Sequence, residues 1–284
     1  MPFRRPAPPP PFDPLAAPNL TGQFISTPRT AAGLMRPAPP PRSQQPLPPP
    51  ALRHYYGVRD GKYDDTLYLQ GGASDVQHMR RALQDDGWAT GSGAMLDFGC
   101  GAGRMIRHLT PEAALAPVWG VDIHAEAIAW AQDALSPPFD FATTTTAPHL
   151  PFEDRTFTVA YAGSVFTHIG ELADAWLLEL RRLLAVGGWL YLSITDAETL
   201  DQIRVQAPQH PSHDHLAALD AATGYTGQDW QMLITRTGPW AQRVIYNRQH
   251  FLARISRWFD VRAVQPQGYG WQTAILLRKR QPPR

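Results

Sequence analysis

Residues 95–103 read Met-Leu-Asp-Phe-Gly-Cys-Gly-Ala-Gly, an apolar strand that ends in an acid and opens at once into three alternating glycines. Gly99, Gly101 and Gly103 let the backbone turn tightly and approach a ligand closely. The run from Arg104 to Leu109 that follows can start a helix whose N–H groups face that ligand. A nucleotide-like cofactor at the end of a buried strand is implied, and with it an α/β sheet. The dinucleotide fingerprint G-x-G-x-x-G requires glycine or alanine at position 104, where this chain has Arg104, and it would set Asp97 against a pyrophosphate that a carboxylate repels. A second acid supports the first. Val118-Trp119-Gly120-Val121 is a short buried-type strand ending at Asp122, roughly 20 residues past the glycines, where a doubly wound fold places a carboxylate that accepts both ribose hydroxyls.

S-adenosylmethionine carries a sulfonium, an ammonium and no phosphate, so an acid at the strand end attracts it where it would repel NAD. The matching sequence extends through Leu150-Pro151-Phe152-Glu153-Asp154-Arg155-Thr156-Phe157, Ser164-Val165-Phe166-Thr167-His168 and Leu184-Ala185-Val186-Gly187-Gly188-Trp189-Leu190. In order and spacing these segments resemble the class I S-adenosylmethionine-dependent methyltransferases, strongly over about residues 90–195 and more weakly toward the C-terminus. The resemblance implies a Rossmann-like doubly wound sheet of about seven strands, mostly parallel with an antiparallel C-terminal strand. It also implies Ile123 on the adenine face and Gly163 and Ser164 lining the cofactor. The family often places an acid before the Leu-Pro-Phe segment to read the adenine amino group; here Thr143-Thr144-Thr145-Thr146 stands there. A threonine hydroxyl or a backbone carbonyl can take that bond, or the segment is an ordinary polar loop.

The periodicity agrees with a parallel sheet. Ser74-Asp75 reads as a helix start, with Val76, Met79 and Leu83 at helical spacing until Gly87. Ile128, Ala131 and Leu135 mark a second helix closed by Pro137-Pro138, followed by a strand at Phe139-Asp140-Phe141 and another at residues 157–161. Leu172, Trp176, Leu180 and Leu183 form an apolar stripe, Gly187-Gly188 a turn, and residues 189–194 the next strand. Residues 196–248 break this rhythm over a length uncommon for a plain connection and are expected to be an insertion that covers the substrate. A helix over Phe251, Leu252, Ile255 and Trp258-Phe259 and strands at 261–264 and 273–277 close the domain.

The first 50 residues hold 17 of the chain's 29 prolines and few apolar residues, so they read as a disordered tail with polyproline II character ahead of a domain spanning residues 51–284. Such a tail can dock on a proline-reading partner; a flexible linker, or a start at Met35, accounts for it equally simply. The tail sums to +4 and residues 51–284 to −3, which gives no bulk charge for nucleic acid. No apolar run follows Arg4 and Arg5, no stretch of about 20 apolar residues exists, and Cys100 is the single cysteine, which together fit a cytoplasmic protein without a membrane partner. The near absence of lysine, Lys62 and Lys279 against 24 arginines, is taken as genome composition.

His168 follows the fourth strand, at the edge where ligands bind in such sheets, and its imidazole could take a proton from a hydroxyl; the alternative is a structural histidine. His210, His213, Asp214 and His215 are ligand types without a named spacing, and methyl transfer needs no metal, so none is expected. Tyr55, Tyr56 and Tyr63 either close over the site or pack on the core. Arg243, Arg248, Arg254, Arg257 and Arg262 form a solvated face or meet an anionic acceptor. Ala162-Gly163-Ser164-Val165 stands where base-methylating enzymes carry Asp/Asn-Pro-Pro-aromatic, which argues against a nucleic-acid substrate. With Gly268-Tyr269-Gly270 before the last strand, the layout is similar to methyltransferases of glycan and natural-product synthesis, implying a small, hydroxyl-bearing acceptor. A non-catalytic S-adenosylmethionine-binding scaffold is the second reading, and a nicotinamide-dependent oxidoreductase a distant third.

Overall fold

The computed structural model describes residues 45–53, 56–59, 61–206, 231–236 and 242–280. Its elements in order are β1 (Val58–Arg59), β2 (Lys62–Tyr63), α1 (Asp65–Asp85), β3 (Met95–Phe98), α2 (Thr110–Ala113), β4 (Val118–Asp122), α3 (Ala125–Leu135), β5 (Asp140–Thr143), β6 (Phe157–Ala162), α4 (Ala173–Leu183), β7 (Leu184–Asp196) and α5 (Ala197–Gln206). Then come β8 (Met232–Arg236), β9 (Gln242–Tyr246), α6 (Arg248–Ile255), β10 (Phe259–Tyr269) and β11 (Gln272–Lys279). The main sheet runs β5-β4-β3-β6-β7-β11-β10, parallel throughout except for β11, which is antiparallel to both neighbours. No helix among the described residues is long and apolar enough to cross a membrane.

Both faces of this sheet are covered. Leu96 and Phe98 pack with Val121, Trp176 and Leu180 on one side, while Met95 packs with Met79, Val118 and Ile128 on the other. That alternation is the period of a strand, and burying both faces explains why β3 reads as continuously apolar around its one acid. The connection from β3 leads to β4 on one side, whereas β6 lies on the other, so chain order reverses at β3 and leaves a crevice at the carboxyl ends of these strands. The Leu150–Asp154 segment is pinned to α4 from below that crevice: Arg182 donates to the carbonyls of Leu150 (3.1 Å) and Phe152 (2.8 Å) and to Glu179 and Asp154.

Four expectations change. The first helix begins at Asp65, nine residues before Ser74, with Asp64 Oδ1 capping Leu67 N at 2.9 Å. Gly71-Gly72 looks like an interruption in sequence; in the fold Gly72 lets α1 approach the chain after the glycine turn, where a Cβ would stand 2.3 Å from Arg104 O. Second, the run from Arg104 does not begin an α-helix. A 3₁₀ turn at Ile106–His108 precedes α2, because Pro111 has no N–H to give the Arg107 carbonyl, which the Thr110 hydroxyl approaches instead at 3.4 Å. Third, the described parts of 196–248 are ordered elements: α5, and a β8–β9 hairpin whose β9 pairs in parallel with β7 at Thr195↔Ile245. Residues 207–230 and 237–241 of that insertion lie outside the described residues, and so do His210, His213, Asp214 and His215.

Fourth, the boundary of the tail moves. Residues 1–44 lie outside the described residues, but residues 45–50, grouped with the tail by composition, sit on the domain. Pro48 is buried, its carbonyl accepts Arg53 Nε at 2.8 Å, and the Pro46 carbonyl accepts Arg107 Nη2 at 3.0 Å. Arg53 continues to Asp65 at 2.6 Å. A polyproline backbone makes no internal hydrogen bonds, so its carbonyls are open to arginine donors. Deleting residues 1–44 is therefore expected to leave the melting temperature unchanged, whereas deletion through residue 53 should lower it by about 5 °C, since charged hydrogen bonds contribute about 1.5–3 kcal/mol each when buried. Scanning calorimetry of the two truncations checks this, and equal melting temperatures would refute it.

Candidate functional site

Asp97 is opposite Gly120 on β4 and Tyr161 on β6, so it lies in the middle of the sheet at its carboxyl edge. Its side chain is buried, and its Oδ2 has no hydrogen-bond partner; the buried Tyr161 hydroxyl completes no bond either. Burial lifts the Asp97 pKa to about 8, the Tyr161 hydroxyl beside it pulls down, the charge of Asp122 adds to the rise and the cation of Arg104 offsets part of it. A carboxyl group in this position lacks the counter-ion that would make its charged form favourable.

Directly after β3 the backbone adopts φ of +82° at Gly99, +52° at Gly101 and +79° at Gly103. These values suit glycine for conformational reasons, and space enforces it: a Cβ at Gly99 would lie 2.3 Å from Val165 and one at Gly103 2.4 Å from Leu135. Asp122 holds this turn in place. Its Oδ2 accepts Gly101 N at 2.7 Å and its Oδ1 accepts His124 N at 2.8 Å. A carboxylate offers about four acceptor sites, so about two remain for ligand hydroxyls. Ile123, next along, is 61% exposed, an apolar surface at the crevice with nothing packed over it. At the end of β5 Thr144 donates its N–H to Asp122 O at 2.8 Å, and its buried hydroxyl has no partner, while the Thr145 hydroxyl accepts Ala147 N.

The other wall of the crevice begins at the end of β6. Ser164 has φ +60°, a conformation that serine rarely takes. Cross-links from two strands hold it there: Ser164 N donates to Ser193 Oγ (2.7 Å), Ser193 Oγ donates to Gln272 Oε1 (2.7 Å), and Gln272 Nε2 donates to Ser164 Oγ (2.8 Å). Gly163 carries the Tyr269 ring, which a Cβ would meet at 2.4 Å. His168 ends the following 3₁₀ turn, exposed, with Arg243 Nη1 of β9 at 3.4 Å from its Nε2.

One cluster near the glycine turn was not legible as a site. Arg104 is buried, pairs with Asp75 of α1 at 2.7 Å, donates to the Tyr269 hydroxyl, and stacks over Tyr56 at 4.0 Å. Tyr56 is thereby on the interior cluster, its hydroxyl 3.3 Å from that of Tyr269, while Tyr63 is part-exposed near Arg53 and Tyr55 lies outside the described residues. The departure from the dinucleotide fingerprint at Arg104 was the signal available; its partner Tyr269 is 165 residues away. Asp97, Gly99, Gly101, Gly103, Asp122, Ile123, Gly163 and Ser164 all fall at the carboxyl ends of β3, β4 and β6, and His168 lies just beyond them. No cluster of three or more metal-ligand side chains occurs among the described residues.

A parallel sheet with a glycine turn and an acid at each of two adjacent strand ends defines the class: a Rossmann-like enzyme domain for a nucleoside cofactor. Residues 96–192 match the family model described as a methyltransferase domain. A S-adenosylmethionine-dependent methyltransferase structure from Methanosarcina mazei is 19% identical, covering 66% of this chain and 93% of that chain at a TM-score of 0.50. Another from Clostridium acetobutylicum is 11% identical, covering 73% and 92% at 0.52. The glycopeptide N-methyltransferase MtfA, in complex with S-adenosyl-L-methionine, is 15% identical, covering 79% and 100% at 0.50. The protein is a class I S-adenosylmethionine-dependent methyltransferase, with S-adenosyl-L-methionine as methyl donor.

The elevated pKa of Asp97 has a consequence for the ligand-free protein. Below about pH 4 the carboxyl is protonated folded or unfolded; between about 4 and 8 the fold keeps the proton that the unfolded chain gives up, so stability falls as pH rises through that window. Asp97→Asn removes the titration. The variant is expected to gain stability over the wild type between pH 5 and pH 8 by a few kcal/mol, of order 1.4 kcal/mol per pH unit. Calorimetric melting without cofactor checks this, and a difference that does not change with pH would contradict it.

Proposed function

We propose that the enzyme methylates a hydroxyl group of a small molecule and that the two strand-end acids hold its cofactor. The observation that carries the cofactor reading is the bare Asp97 carboxyl under the glycine turn, a position that accepts a cation and repels phosphate. Asp97 faces the positively charged methionyl end, Asp122 accepts the ribose hydroxyls with the lone pairs left by Gly101 N and His124 N, and Ile123 supplies an apolar face for adenine. The unpartnered hydroxyl of Thr144, adjoining Asp122, suits the adenine edge in place of the family's acid. Gly163 and Ser164 form the wall between cofactor and acceptor, with Ser164 kept in its strained conformation by Ser193 and Gln272.

Bound there, S-adenosylmethionine supplies an electrophilic methyl: a lone pair on the acceptor oxygen forms the new O–C bond as the S–C bond breaks, its electron pair staying on sulfur. The protein's share is orientation, exclusion of water and removal of the acceptor's proton. His168, exposed at the carboxyl edge four residues past Ser164, is the group placed to take that proton on Nε2. The hairpin β8–β9 narrows the crevice on the same side, which favours a small acceptor over a polymer.

Two measurements test these roles. Asp122→Ala should weaken S-adenosylmethionine binding by about 1.5–3 kcal/mol, since the ribose loses a charged acceptor and the glycine turn its anchor; unchanged affinity by calorimetry would remove Asp122 from the site. With an acceptor from a panel of hydroxylated sugars and phenols, His168→Gln should lower the methyl-transfer rate by on the order of 10²–10⁴ at unchanged cofactor affinity. A near-normal single-turnover rate in that variant would leave orientation alone as the source of catalysis.

A further inference from the structure

Of the five arginines that the sequence leaves between a solvated face and an anion site, the structure neutralises three. Arg248 Nη1 lies 2.7 Å from Glu198 and 3.4 Å from Asp196, Arg254 Nε lies 3.1 Å from Asp174, and Arg262 Nε lies 2.6 Å from Asp86. Among the described residues, no carboxylate comes within ion-pair distance of Arg243 or Arg257. Arg257 is exposed just past α6. Arg243 is on β9 at the carboxyl edge of the sheet, and its one close polar contact is Nη1 to His168 Nε2 at 3.4 Å. That distance is beyond the ordinary hydrogen-bond range, and an imidazole does not neutralise a guanidinium. A planar cation with five N–H donors, exposed beside the group placed to receive the acceptor's proton, is matched by an oxyanion that it can hold through two parallel bonds.

We infer that the acceptor carries an oxyanion, a phosphate ester or a carboxylate, close to its hydroxyl, and that Arg243 is the specificity residue that holds it. The inference rests on the reading that the acceptor binds beside His168. Because a guanidinium only donates, its approach occupies the lone pair of Nε2; an anion that draws Arg243 onto itself returns that lone pair to the acceptor's hydroxyl. Recognition of the anion and availability of the base are then coupled through one contact.

The test uses the full-length protein saturated with S-adenosylhomocysteine and labelled with ¹⁵N-histidine, the His168 signals being assigned by their loss in His168→Gln. Methyl phosphate and sodium acetate are titrated separately at constant ionic strength set with sodium chloride. The expected result is a saturable shift of the His168 signals by one of the two anions, which tells phosphate ester from carboxylate. Affinity should fall at least tenfold in Arg243→Gln, partly recover in Arg243→Lys and stay unchanged in Arg257→Gln. If neither anion moves the His168 signals of the wild type, or the shift persists in Arg243→Gln while S-adenosylhomocysteine binds normally, the inference is overturned. Loss of S-adenosylhomocysteine binding by the wild type itself would instead overturn the cofactor site on which it rests.

Discussion

A carboxyl group buried at the end of β3 with no cation beside it costs the folded chain free energy, and much of the surrounding structure is explained by the need to keep it there. The sheet surrounds Asp97 with Gly120 and Tyr161 on its flanking strands, so the group cannot turn to solvent. The glycine turn then brings backbone rather than side chain over it, and Asp122 fastens the turn through Gly101 N. A cofactor that brings its own positive charge and no phosphate relieves the unfavourable burial on arrival. The same burial that weakens the ligand-free fold is thus the source of selectivity for that cofactor.

The second organising contact is Arg104. Its guanidinium joins α1 through Asp75, the start of the domain through Tyr56 and the end of β10 through Tyr269. Tyr269 in turn lies on Gly163, so one buried cation connects the glycine turn to the opposite wall of the crevice. Arg107, one turn later, accepts the same kind of task on the outside: its Nε donates to Gly103 O at 3.1 Å and its Nη2 to Pro46 O. The chain's root at residues 45–53 is therefore tied by hydrogen bonds to the loop that holds the cofactor.

Distribution of charge separates the arginines that build the fold from those facing ligand. Arg53, Arg104, Arg182 and Arg248 each reach a carboxylate and one or more backbone or aromatic groups, a use that the planar, five-donor guanidinium allows and lysine does not. The arginine bias of the sequence, attributable to composition alone when read along the chain, is in the fold a set of structural clamps. Arg243 stands apart because its neighbour is an imidazole at the crevice.

The sequence by itself determined the parallel sheet, the turn at Gly99–Gly103, the acids at positions 97 and 122 and the antiparallel last strand, because each of these is a local pattern: period two in the strands, glycine at fixed offsets, an acid at a strand end. It left open whether Thr144 or its neighbours face the cofactor, and it misplaced the start of α1, since two glycines that break a helix in isolation are required where that helix touches Arg104 O. Only the tertiary structure decided that Arg104 bonds Tyr269, that Gln272 and Ser193 hold Ser164, that Pro46 and Pro48 belong to the domain, and that Arg243 meets His168. Those contacts join residues tens to more than a hundred positions apart, and their partners are chosen by which strands the sheet sets side by side, a choice that no local pattern of residues records.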